Sequence, residues 1–119
     1  MNTPSTSWER RVSELWSAID SHEPEAFVAA MQTLVAELPT ENPIGLFEHA
    51  AAQDSTGHPD LAVPLYRAAL AAGLEGIRRR RAVIQMSSSL RNLGNPALAA
   101  ELLGESIAAE KNNFRHWQY

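Results

Sequence analysis

Apolar residues recur along this chain at three- and four-residue intervals, and short stretches of Pro, Gly and Asn break the runs. That is the pattern of short amphipathic helices. Trp8, Val12, Leu15, Trp16 and Ile19 form a first stripe beginning near Ser7, with Glu9, Arg10, Arg11, Glu14 and Asp20 largely on the other face. Thr6 and Glu9 have the spacing of a capping box. Ser21-His22-Glu23-Pro24 closes this helix and opens a second, running to about Glu37, with Phe27, Ala30, Met31, Leu34 and Leu38 inward. Leu38-Pro39 stops it, because a residue before proline avoids the helical region. Asn42-Pro43 pairs a capping side chain with a first-turn proline. The third helix that follows turns Leu46, Phe47, Ala50 and Ala51 inward and ends at Gly57. His58-Pro59 opens a fourth with Leu61, Ala62, Leu65, Tyr66, Ala69 and Leu70 inward. Pro64 lies inside that run, where the lost backbone hydrogen bond predicts a kink or tightened first turns. Beyond Gly73 and the linker 74–76, a fifth helix spans roughly 77–92 with Val83, Met86, Ser87, Leu90 and Leu93 inside. Asn95-Pro96 caps a sixth built on Leu98, Ala99, Leu102, Leu103 and Ile107. No segment alternates with period two, so the expected class is all-α, without a sheet.

The helices are not six independent units. Asp54-Ser55-Thr56-Gly57-His58-Pro59-Asp60-Leu61-Ala62 reads like Arg91-Asn92-Leu93-Gly94-Asn95-Pro96-Ala97-Leu98-Ala99. In each, a helix stops at Gly, Pro restarts the chain two residues later, and an Ala-rich amphipathic segment follows. A repeat of this length points to stacked helical hairpins, here about three antiparallel pairs. The organisation expected is a disordered segment at 1–6, a repeat domain at 7–111 and a polar, aromatic tail at 112–119. That tail lacks helical periodicity. It either caps the last hairpin, docks on a neighbouring molecule, or stays disordered.

These residues resemble the tetratricopeptide repeat. Ala50, Gly57, Ala62, Tyr66 and Ala69 match that family's small–Gly–Ala–aromatic–Ala series, and Ser87, Gly94, Ala99, Leu103 and Ser106 match it again. The N-terminal pair follows by pattern alone, through Ser21, Ala26, Ala30 and Leu34 without a Gly. The stretch from Phe47 to Leu93 is similar to a group of short bacterial tetratricopeptide-repeat proteins. The resemblance covers about residues 8–110 and implies a right-handed superhelical stack of hairpins whose work is binding other proteins. Small residues suit it because they let crossing helices approach closely.

Composition narrows the rest. At 119 residues the chain suits one domain that needs no metal or disulfide to fold. The absence of cysteine excludes disulfides and zinc–thiolate chemistry. A net charge of −4 argues against general nucleic-acid binding. The N-terminus has neither the basic run nor the apolar core of a signal peptide, and no apolar run approaches a spanning length, so a cytoplasmic location and no membrane partner are expected.

In a three-repeat array the first helix of each pair lines a concave groove. Projection puts Phe47, Ile44, Ala51, Asp54 and Ser55 of the third helix there, and Arg81, Ile84, Gln85, Ser88, Arg91 and Asn92 of the fifth. These are candidate contacts for a protein or peptide segment, with Arg81 and Arg91 meeting carboxylates; otherwise they form a solvated helix face. Phe47 and Ala51 stand where one subgroup of the family clamps a C-terminal carboxylate with Lys and Asn, so that clamp is absent. The run Arg78-Arg79-Arg80-Arg81 opposes the helix macrodipole. Either an acidic partner or anion meets Arg78, Arg79 and Arg80, or the run is solvated and paired within the fold with Glu48, Asp54 or Glu75. His22, His49, His58 and His116 have no metal-ligand spacing, and Ser87-Ser88-Ser89 lacks a glycine elbow or nearby base. No catalytic site, metal or cofactor is expected. The leading function is therefore a protein-binding adaptor; the alternative is a structural protein that self-associates through its open end or its tail, as a homodimer.

Overall fold

The computed structural model describes residues 3–104. Its elements are α1 (Thr6–Ser17), a 3-10 turn (Ile19–Ser21), α2 (Pro24–Val35), α3 (Pro43–Ser55), α4 (Pro59–Ala71) and α5 (Gly76–Asn92). A sixth helix, α6, begins at Pro96 and continues through 104. Consecutive helices pack against one another, and α5 also packs beside α3, the first helix of the hairpin before it. The chain is an all-helical stack of hairpins, with no strand among the described residues. The tail expected at 112–119 lies outside them, as do Ser106 and Ile107.

Helix starts follow the cap chemistry, with one shift. Ser5 caps α1, its hydroxyl accepting from the Trp8 backbone N–H at 3.1 Å, and Thr6 is already helical. The capping box expected from Thr6 and Glu9 does not form, because the cap falls one residue earlier and places Trp8, not Glu9, three residues after it. Within the segment 1–6, Pro4 is buried, Ser5 caps the helix and Thr6 is helical. Asn42 caps α3, its side chain accepting from the N–H groups of Ile44 at 2.9 Å and Gly45 at 3.3 Å. Pro64 leaves α4 continuous. It stands at the sixth position of that helix, where its ring nitrogen forfeits only the bond to the Asp60 carbonyl.

Two cores result. The first joins Trp8 and Val12 of α1 to Phe27 and Met31 of α2 and Ala52 of α3. The Trp8 indole N–H pins the pair by donating to the Leu34 carbonyl at 2.7 Å. The second gathers Phe47, Ala50 and Ala51 of α3, Ala62, Val63, Tyr66 and Ala69 of α4, and Ala82, Met86 and Leu90 of α5. Trp16 and Ile44 pack against both and make the two continuous. Ala50, Ala62 and Ala69 have no exposed surface, so α3 and α4 meet over methyl groups. Gly45 serves the same purpose between α2 and α3. A Cβ there would come within 3.1 Å of Val35 Cγ1 and 3.3 Å of Leu38 Cδ1.

Two inward assignments and one helix bound are corrected. Leu61 and Leu93 are about half exposed, and Val63 and Ala82 are buried instead. Leu61 lies in the first turn of α4 and Leu93 just past the end of α5, where a neighbouring helix covers less of the circumference. Ile19 belongs to the 3-10 turn and not to α1.

Overpacking the α3–α4 crossing tests this account. Ala50→Leu should cost roughly 1–3 kcal/mol in urea unfolding, whereas Ala68→Leu on the exposed side of α4 should change stability by less than about 0.5 kcal/mol. Equal effects of the two would contradict it.

Candidate protein-binding surface

The four arginines that open α5 do not act alike. Arg78 is drawn inward. Its Nη1 and Nη2 donate to the Glu9 carboxylate at 3.0 and 2.6 Å, and its Nε donates to Glu48 Oε2 at 2.9 Å. Glu48 is only 4% exposed, and its other oxygen accepts from the Trp16 indole N–H at 2.8 Å. One guanidinium therefore ties α1, α3 and α5 together. It meets one carboxylate with both terminal nitrogens, a geometry that lysine cannot reproduce. The hydrogen bonds from Arg78 hold the Glu9 carboxyl below its ordinary value, against a smaller opposing effect of burial. Arg78 thus leaves the set of anion-binding candidates: of the internal partners foreseen, Glu48 is present, and Glu9 joins from 69 residues away in sequence.

Arg81 takes a second role. Its guanidinium lies over the Phe47 ring, 5.7 Å from the centroid, while the residue itself stays exposed. Phe47 beneath is 1% exposed and packs on Tyr66 with ring centroids 6.0 Å apart. The groove contact expected of Phe47 is corrected: it is core, roofed by Arg81.

Asp54 is likewise internal. Its carboxylate accepts from the Tyr66 hydroxyl at 3.1 Å and from Ser89 Oγ at 3.3 Å. Gln85 lies 3.0 Å from the same hydroxyl. A phenol has one proton, and it goes to the carboxylate, the better acceptor; the Gln85 amide, rotated to present its nitrogen, donates to the phenol oxygen. Burial, then the Asp54 charge, pushes the Tyr66 hydroxyl far above its ordinary value, so it remains a donor. Asp54 and Gln85 therefore bind α3, α4 and α5 to one another, and their polar groups are engaged from within the fold.

What remains exposed runs along one side of α5. Arg81, Ile84, Arg91 and Asn92 are exposed, and Ser88 is half-buried. Ile84 is 53% exposed, and Ile77, seven residues earlier on the same side, is 77% exposed. In the sequence pattern Ile77 marks only the start of the helix. Its seven-residue spacing from Ile84, off the buried stripe, was the available signal of its exposure. Beside it a shallow cleft of about 360 Å³ opens between Pro43 and Ile44 of α3, the turn 73–75 and Thr3. Arg79 is exposed on another side of the helix. Arg80 is exposed and makes an interaction of its own. The difference between α3 and α5 is positional. α3 has first-helix neighbours on both sides and α5, among the described residues, on one.

His49 stands at the α2–α3 contact, where Nε2 lies 3.2 Å from the amide nitrogens of both Gln32 and Gln53. Two donors on one ring nitrogen require the neutral imidazole, and burial lowers its pKa from the ordinary 6.5. Among the described residues no group of three His, Asp or Glu could hold a metal ion, and no helix is long and apolar enough to cross a membrane.

Alternating short helices, Gly-closed hairpins and alanine crossings define a helical-repeat protein. The family model described as tetratrico peptide repeat matches residues 43–117, more than half of the chain, and the protein belongs to that family, whose members are protein-interaction repeats. The match begins at α3, so α1 and α2 lie outside it. No curated protein and no solved structure matches the chain.

Two measurements check the internal network. Arg78→Met strands the buried Glu48 charge and should cost roughly 2 kcal/mol or more, while the double variant Arg78→Met/Glu48→Met should recover much of that loss. Stability should also fall with pH in two windows. The folded state holds His49 below 6.5 and so takes up fewer protons than the unfolded chain; stability is lost as pH drops through 6.5, and His49→Gln should remove that loss. Glu9 is depressed below 4.5, so its contribution, present above 4.5, disappears at lower pH, and thermal melts of Arg78→Met should lack this second component. Identical pH profiles for variant and parent chains would contradict both assignments.

Proposed function

We propose that the protein is a non-catalytic interaction module, acting in the cytoplasm, that holds a segment of another protein along the exposed side of α5. Family membership supports the class of function. The observation that carries the location is the line Ile77, Arg81, Ile84, Ser88 and Arg91, which joins two exposed aliphatic side chains to two exposed cations on one rigid helix. Arg is among the residues enriched at interface hot spots, and covering exposed aliphatic side chains adds apolar burial. Asn92 extends the line at its end.

Site-specific photocrosslinking in the native host tests the location. A photoreactive residue at Ile84 or Ser88 should give a discrete heavier adduct, and one at Ala68, exposed on α4, should not. An adduct of twice the chain's own mass would assign the surface to self-association instead. Absence of any adduct at 84 and 88 would remove α5 as the binding face.

A further inference from the structure

The geometry points to an acidic, apolar-punctuated peptide segment, bound extended along α5, as the occupant of this surface; this inference rests on the reading that α5 is the binding face. Charge is the first argument. α5 holds five of the ten Lys and Arg residues of a chain whose net charge is −4, and it contains no acidic residue. Glu9 and Glu48 engage Arg78, but Arg81 and Arg91 stand exposed on the line. A basic face on an otherwise acidic protein steers acidic partners to itself and turns basic ones away.

Preorganisation is the second argument. Arg81 already lies over the Phe47 ring, 5.7 Å from its centroid, so its guanidinium loses less freedom on meeting a carboxylate than an unsupported one would. The third is the spacing of the apolar sites. Ile77 and Ile84 are about 10 Å apart along the helix axis and Arg81 and Arg91 about 15 Å apart, at 1.5 Å per residue. An extended strand advances about 3.3 Å per residue. A segment with two carboxylates four or five residues apart, an apolar residue between them and another beyond the first, therefore reaches Arg81, Arg91, Ile84 and the cleft beside Ile77 together. Nucleic acid fits less well: the line offers aliphatic side chains where base stacking needs aromatic ones, and the chain's overall charge repels a polyanion.

Selection of a random displayed-peptide library on the full-length protein tests this. The expected result is enrichment of acid–apolar–acid sequences with that spacing. Their affinity should fall roughly tenfold or more in Arg81→Glu and, separately, in Arg91→Glu, and should weaken with added salt. Circular dichroism and urea unfolding of each variant verify that the fold is kept, and Arg91→Glu, on the last turn of α5, serves if Arg81→Glu disturbs Phe47. Enriched peptides that are neutral or basic yet compete at α5 would overturn the acidic occupant and leave the binding face standing. Enriched peptides indifferent to both variants and to Ile84→Ala, or no enrichment at all, would overturn both.

Discussion

A carboxylate sealed among helices has to be met by a cation, and most of this architecture is arranged around that requirement at Glu48. The residue stands on α3, the helix with neighbours on both sides, and is 4% exposed. Its two oxygens are taken by Trp16 of α1 and Arg78 of α5. Arg78 reaches it because α5 has 17 residues against 13 in α3, about one turn more. The added turn then carries the guanidinium on to Glu9 as well. An ion pair so placed need not add net stability relative to an apolar substitute. Its effect here is on register: the first helices of three hairpins are tied at one end, while the alanine crossing sets how closely α3 and α4 approach.

That arrangement also decides which polar residues remain for a partner. Positions that project toward a groove on α3 are occupied from within: Phe47 by Arg81, Asp54 by Tyr66 and Ser89, Glu48 by Arg78 and Trp16. Of the equivalent positions on α5, Gln85 is held by Tyr66, whereas Ile84 and Arg91 stay exposed. The same repeat position thus makes core in one hairpin and surface in the next. The distinction belongs to place in the stack and not to residue type.

Helix periodicity, the Asn42-Pro43 and Gly57-His58-Pro59 punctuation and the alanine series were legible from sequence because each acts within one or two turns. The hairpin stack and the crossing residues Ala50, Ala62, Tyr66 and Ala69 followed from them. Of the candidate surface, the shared side of Arg81, Ile84, Ser88, Arg91 and Asn92 was legible, since helical spacing alone puts them on one side of α5. Phe47 was legible as an inward residue and Glu48 as one internal partner for the arginine run, but the Arg81 cover on Phe47, the Glu9 link of Arg78 and the partners of Asp54 and Gln85 were not. Their fates depend on contacts across 12 to 69 residues of sequence, and local periodicity does not encode which carboxylate an arginine will find. The burial of Glu48 was hidden for the same reason. A Glu on a helix reads as solvated until a distant Arg and Trp are known to converge on it.

The energetic sense of the exposed line follows from what its neighbours already supply. Ile77 and Ile84 remain largely in water, and covering a side chain of this size contributes about 1.5–3 kcal/mol. The cations beside them have unequal standing. Arg91 must be immobilised by any ligand it binds, whereas Arg81 is held on a ring that the fold needs for its own core. Phe47 thereby serves twice, as packing against Tyr66 and as a platform for a donor above it. A surface built in this way draws its order from the interior. The loss of the groove contact expected of Phe47 is therefore the reason that Arg81 is the best-prepared anchor the helix presents.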